Sequence, residues 1–130
     1  MRYKVLLIED NTDCRELLAM LIRHLGFDVI EADDGEIGVQ KALAEIPDLI
    51  FMDIGMPSMS GIQATACLRE SGVTRNIPII ICTAWSSESH REAAMHSGAH
   101  AVISKPISLN QLQSVLFRYL PGPKHEHDLH

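Results

Sequence analysis

The stretch DLIFMDIGMPSMSG, residues 48–61, decides how the chain is read. Leu49 to Met52 is a short, wholly apolar run, and it ends on a lone carboxylate, Asp53. Gly55, Pro57 and Gly61 then forbid a smooth continuation as strand or helix. A run that is apolar throughout fits a strand covered on both faces, the usual state of a strand in a parallel sheet. Burying a carboxylate without a partner is costly, or forces it to protonate. Asp53 therefore either sits at an exposed strand end or meets a positive group there, and no basic residue adjoins it in the sequence.

Short runs rich in Val, Ile and Leu recur at Lys4–Ile8, Ile77–Cys82 and Ala101–Ile103, most of them apolar throughout. A further run, Phe27–Glu31, alternates apolar and polar residues and suits an edge strand. Helical patterns lie between them. The first puts Cys14, Leu18, Leu21, Ile22 and Leu25 on one face and stops at Gly26. The second spaces Val39, Ala42, Leu43 and Ile46 over two turns before Pro47, with Asp33 and Glu36 as a capping box. The third begins at Gly61, carries Ala64, Cys67 and Leu68 on one side and ends at Ser71-Gly72. The fourth, near residues 87–97, is polar and weakly amphipathic. The last opens with a Ser108–Gln111 capping box and buries Leu109, Leu112, Val115, Leu116 and Tyr119.

Repeated strand–helix units in one chain imply a doubly wound α/β domain, a five-stranded parallel sheet with helices on both faces. Composition agrees. A chain of 130 residues suits one domain, and 46% hydrophobic with 22% charged residues is ordinary for a soluble globular protein. The net charge of −6 argues against nucleic-acid binding, since phosphate backbones reward basic surfaces. No run approaches the roughly 20 apolar residues of a membrane span, and MRYKVLLIED lacks the long apolar stretch of a signal peptide. Cys14, Cys67 and Cys82, odd in number and in apolar context, read as buried cytosolic thiols. The tail PGPKHEHDLH has no apolar period; residues 121–130 read as linker, with at most adventitious metal binding by its histidines.

Open parallel sheets bind ligands in the crevice beyond the carboxyl ends of their strands. Glu9, Asp10 and Asp53 fall there, together with Thr83, Ala84, Lys105 and Pro106. Three converging carboxylates repel one another unless a hard divalent cation such as magnesium, which prefers oxygen ligands, joins them. With a hydroxyl from Thr83 and an ammonium from Lys105, the set makes a receptor for a phosphoryl group, and a carboxylate can serve as the nucleophile. Asp33 and Asp34 are assigned to capping and left out of the site.

The segments VLLIEDN, IFMDIGMPSMSG, IIICTAW and AVISKPIS, in this order and spacing, resemble the receiver domain of two-component response regulators. The resemblance spans Tyr3 to Leu120 and implies a flavodoxin-like sheet of order 2-1-3-4-5, with a receiver domain over residues 1–120. It further implies that Asp53 is the phosphoacceptor in a phosphorelay, supplied by a sensor histidine kinase or a histidine phosphotransfer protein. Asp10 would then ligate magnesium directly, Glu9 largely through water, and Gly55 through its backbone carbonyl. Thr83 and Lys105 would engage the phosphoryl group, the small Ala84 would leave it accessible, and Pro106 at a cis-proline position would aim the lysine. The family's output and dimer surface, formed by its fourth helix, fifth strand and fifth helix, would carry the signal in a cytoplasmic protein. Val102 departs from the pattern, because many receivers carry Tyr or Phe there to couple to the threonine. Trp85, two residues after Thr83, would either couple the site to the surface instead or pack its own loop. A different class, the haloacid-dehalogenase-type phosphohydrolases, also uses a strand-end Asp with magnesium. It needs a second Asp two residues on, where this chain has Gly55. A flavin site is disfavoured by the acidic EDNTD loop, which would repel FMN phosphate.

Overall fold

A computed structural model describes residues 2–56, 58–84 and 88–122. Pro57, Trp85 and the histidines of the tail lie outside the described residues, so the readings placed on them are not taken further. Five strands alternate with five helices: β1 Lys4–Ile8, α1 Thr12–His24, β2 Asp28–Ala32, α2 Gly35–Glu45, β3 Leu49–Met52, α3 Gly61–Glu70, β4 Ile79–Thr83, α4 Glu88–Ser97, β5 Ala101–Ser104 and α5 Leu109–Tyr119. The strands form one sheet of order β2-β1-β3-β4-β5, and every neighbouring pair is parallel. This is the doubly wound, flavodoxin-like arrangement expected from the sequence.

The period of two along the strands builds two cores from one sheet. Leu6, Ile8, Ile50, Met52, Ile79 and Ile81 pack toward Ala42 of α2, Ala64 and Leu68 of α3 and Ala94 of α4. Val5, Leu7, Leu49, Phe51, Ile80 and Cys82 pack toward Leu18, Ala19 and Ile22 of α1 and Leu112 and Leu116 of α5. The central strands β1, β3 and β4 are almost wholly buried, which is why they read as unbroken apolar runs.

Helix ends follow their local chemistry. Asn11 caps α1, its side chain accepting from the Cys14 N–H, and Gly26 takes φ +101° in the turn beyond the helix. Ser60 and Gln63 form a capping box on α3, and Ser108 and Gln111 form the expected one on α5.

Several expectations change. The cap of α2 is Asp34, accepting from Ile37 N–H, rather than Asp33. The buried stripe of α2 runs through Gly35, Gly38 and Ala42, so Leu43 and Ile46 are exposed; Ile46 lies past the last helical turn with φ 47°. The α3 stripe is Gly61, Ala64, Thr65 and Leu68, and Cys67 falls outside it and is exposed. Of the three thiols only Cys82 is buried, with Cys14 half-buried. Leu109 is exposed in the first turn of α5. Strand β4 starts at Ile79 because the Ile77 N–H closes a turn onto the Thr74 carbonyl and Pro78 has no N–H to give a ladder. Strand β2 is at the sheet edge as expected, but its exposure falls gradually toward Ala32 instead of alternating.

Candidate functional site

Strands β1, β3, β4 and β5 end side by side, so their carboxyl ends meet in one crevice. The last ladder step joins Ile8 to Met52, which carries Glu9 and Asp53 out of adjacent strands together. The Asp53 N–H donates to the Ile8 carbonyl at 3.2 Å. Glu9, Asp10 and Asp53 then offer carboxylate oxygens that all lie within 4.8 Å of one another. Their settings differ: Glu9 is buried, Asp53 is half-buried and Asp10 is exposed. Asp10 does not cap α1, since Asn11 does, and Asp53 does not cap α3, since Ser60 does.

The positive partner of Asp53 comes from across the sheet. Lys105 follows β5, and its Nζ lies 3.2 Å from Asp53 Oδ2 while also ion-pairing with Glu9 Oε1. Burial pulls the Lys105 ammonium down, but the Glu9 hydrogen bond and the Asp53 and Glu9 charges outweigh it and raise its pKa. Lys105 is therefore a cation at any physiological pH. Its main chain is held as well, the Lys105 N–H donating to the Thr83 carbonyl at 2.9 Å. Thr83 is buried at the end of β4, opposite Ser104 of β5, and Ala84 beyond it is exposed. The Lys105–Pro106 peptide bond is cis. Val102 is buried in the core on the α4 side of the sheet.

Gly61 brings the start of α3 against this site. A Cβ on Gly61 would stand 2.2 Å from the Asp53 carbonyl oxygen, so only glycine permits this approach. The Gly61 N–H donates to the Ile54 carbonyl at 2.9 Å and closes the loop that contains Gly55.

Some residues around the site carried no signal that the sequence reading used. The Asn11 N–H donates to Glu9 Oε2 at 3.2 Å, and Arg15 Nη1 donates to the Glu9 carbonyl at 2.9 Å. Burial and a hydrogen bond with Glu9 push the Cys14 thiol up. Burial pushes Cys82 up to about 12. Neither thiol is a ready nucleophile. Both border an apolar cavity of about 370 Å³ with Leu17, Leu21 and Pro106. A basic residue one turn into α1 was the only available hint of Arg15.

Residues 5–117 match the model of the response regulator receiver domain. The chain belongs to that family. Receiver domains are the phosphoacceptor signalling domains of two-component systems, and they bind magnesium at an acidic pocket. Among curated relatives, protein PilH of Pseudomonas aeruginosa is 35% identical, with 92% of this chain aligned to 98% of that protein. The phosphate regulon transcriptional regulatory protein PhoB of Escherichia coli is 34% identical over 86% of this chain and 49% of its own length. The chain thus spans about half the length of the PhoB proteins it matches. Among solved structures, the receiver domain of sensor histidine kinase PA1611 from Pseudomonas aeruginosa has a TM-score of 0.87 at 30% identity, covering 94% of this chain and all of that one. That structure holds a magnesium ion coordinated in its active-site cleft. Among the described residues of this receiver, no helix is long and apolar enough to cross a membrane.

Proposed function

We propose that Asp53 is the phosphoacceptor of this receiver and that Glu9, Asp10 and the Gly55 carbonyl complete a magnesium site beside it. The observation that carries this reading is Lys105, held between Glu9 and Asp53 where three carboxylates crowd together. The donor set fits a hard divalent cation, being all oxygen, with three carboxylates of which one, Asp10, is exposed where an ion can enter. A magnesium ion held by these residues would supply positive charge against the incoming phosphate.

The chain's own groups have separate tasks. An Asp53 oxygen attacks phosphorus; the bond from phosphorus to the phosphodonor breaks, and its electron pair leaves with the donor. Lys105 ion-pairs with the transferred group, and the Thr83 hydroxyl hydrogen-bonds it. Ala84 leaves the approach open, and Pro106 orients the lysine. The donor is a phosphohistidine on a sensor histidine kinase or a histidine phosphotransfer protein. The domain is a switch and not a turnover enzyme on a metabolite, although it contributes to its own phosphorylation and to hydrolysis of its aspartyl phosphate. Residues 1–120 form the receiver and 121–130 a linker or tail in a cytoplasmic protein. Output passes through α4, β5 and α5, with a phosphorylation-linked dimer on that surface, by a shift toward an active arrangement populated beforehand. Since Val102 has no ring, the usual pairing of threonine with an aromatic does not report the switch here. Gly55 supplies no acid to protonate a leaving group, so the dehalogenase-type hydrolase is not adopted.

Asp53→Asn tests the assignment. It is expected to abolish magnesium-dependent labelling by acetyl phosphate, read by intact-protein mass, and full labelling of the variant overturns it.

A further inference from the structure

The Glu9–Asp10 turn lies just past Ile8, the last paired residue of β1. On its amino side the Glu9 N–H still donates to the Ala32 carbonyl of β2 at 3.0 Å. On its carboxyl side the Glu9 carbonyl accepts from Arg15 Nη1 at 2.9 Å. Arg15 is itself aimed from β2: its Nε lies 3.4 Å from Glu31 Oε1, and its side chain is only 17% exposed. Glu31 is steadied in turn by Arg23 Nη2, 3.3 Å from Oε2. Glu31 pairs with Leu7 in the β1–β2 register, so the brace spans from the edge strand to the first residue past β1.

We propose that Arg15 is a positioning residue for the acid pair: from Glu31 it holds the Glu9 carbonyl and so sets the turn that presents Asp10 beside Asp53. This rests on the reading of Asp10 and Asp53 as cation ligands. A planar guanidinium can bond a carbonyl with one nitrogen and a carboxylate with another, which an ammonium at the end of a flexible stem cannot do in the same geometry. Residues that orient metal ligands without touching the ion commonly change affinity by about 10- to 100-fold when removed. Arg15 also carries charge, and charge alone predicts the opposite result. Removing a cation near three carboxylates would tighten binding of a divalent cation, and Arg15→Lys would leave it unchanged.

The experiment is magnesium titration by calorimetry on the full chain, for the parent and the variants Asp10→Asn, Arg15→Ala, Arg15→Lys and Glu31→Gln. If the parent does not bind magnesium, or Asp10→Asn binds it equally well, the cation-site reading fails and this inference fails with it. If Asp10→Asn loses binding, the site reading stands and the arginine variants decide. Arg15→Ala is expected to weaken magnesium binding about tenfold, Arg15→Lys by a smaller factor in the same direction, and Glu31→Gln less than Arg15→Ala. The double variant Arg15→Ala, Glu31→Gln is expected to bind no more weakly than Arg15→Ala alone, because Glu31 acts through Arg15. Thermal midpoints without magnesium separate structure from positioning. A lowered midpoint with unchanged magnesium affinity in folded Arg15→Ala overturns the proposal, as does tighter binding with Arg15→Lys unchanged.

Discussion

At Lys105 two physical effects act in opposite directions. Burial disfavours the ammonium, while Glu9 and Asp53 favour it, and the carboxylates prevail. The lysine therefore supplies a positive charge that the surrounding carboxylates hold in place against burial. Its removal leaves two carboxylates facing each other, a repulsion that a divalent cation relieves. Lys105→Ala is accordingly expected to bind magnesium at least as well as the parent and still accept a phosphoryl group slowly. It is expected to lose the phosphorylation-dependent conformational change. Amide chemical-shift differences of α4 and β5 with and without beryllofluoride or acetyl phosphate check this; a full set of shifts in the variant removes Lys105 from the switch. The four motif segments made this residue legible in the sequence. Arg15 was not legible, because what it holds is a main-chain carbonyl whose position depends on where β2 lies.

Elements bring these residues to their places by their ends. The amino end of α3 combines a capping box at Ser60 and Gln63 with Gly61, packed against the Asp53 carbonyl. The two features separate stability from function. Ser60→Ala removes one cap and is expected to cost about 1 kcal/mol in urea unfolding with little change in labelling. Gly61→Ala places a methyl 2.2 Å from the Asp53 carbonyl oxygen, so the helix or the Asp53 turn must shift. It is expected to cost about 1–3 kcal/mol and also to slow acetyl phosphate labelling. Equal labelling rates in the two variants would show that the close approach does not position Asp53. Hydrophobic spacing located α1, α2, α3 and α5 but misplaced parts of their faces, while the polar α4, which buries only Ala94, gave little apolar period to read. Cys67 and Leu43 sit beside the buried stripes, and Ile46 lies beyond its helix. An apolar residue near a stripe reads the same as one within it until the opposing sheet surface is known.

In the whole molecule, the end of the sheet opposite the crevice is tied by Arg69. From α3 it donates to the Gly98 carbonyl at 2.9 Å and to the Arg75 and Ile77 carbonyls at 2.8 Å each. Its Nη2 lies 3.0 Å from His100 Nδ1, which also accepts from the Ile79 N–H at 3.2 Å. One side chain thus joins α3, the turn before β4 and the turn before β5. With two donors aimed at it, Nδ1 must stay unprotonated, and burial together with the Arg69 charge lowers the His100 pKa below its usual 6.5. A lowered histidine pKa means that the unfolded chain takes up the proton first. The contribution to stability is therefore intact above about pH 6.5 and is lost as pH falls below it toward the folded-state pKa. Thermal midpoints from pH 8 to pH 5 are expected to fall further for the parent than for His100→Asn, whose amide oxygen can accept without titrating. Parallel curves would remove His100 from the pH dependence.

Residue pattern was enough for the class of fold, because strands covered on both faces must be apolar throughout and parallel strands need helical crossovers. It also put Glu9, Asp10, Asp53, Thr83 and Lys105 at or near the carboxyl ends of strands, although the runs read for β2, β4 and β5 stop one residue short of the strands themselves. The tertiary structure alone decided which face of each helix is buried, which aspartate caps α2 and what holds the acid pair. Those depend on contacts between segments far apart in sequence: Lys105 with Glu9, Arg15 with Glu31, Gly61 with the Asp53 carbonyl. A charge at the end of an apolar strand is legible in one dimension, whereas its partners are set by the order of strands in the sheet.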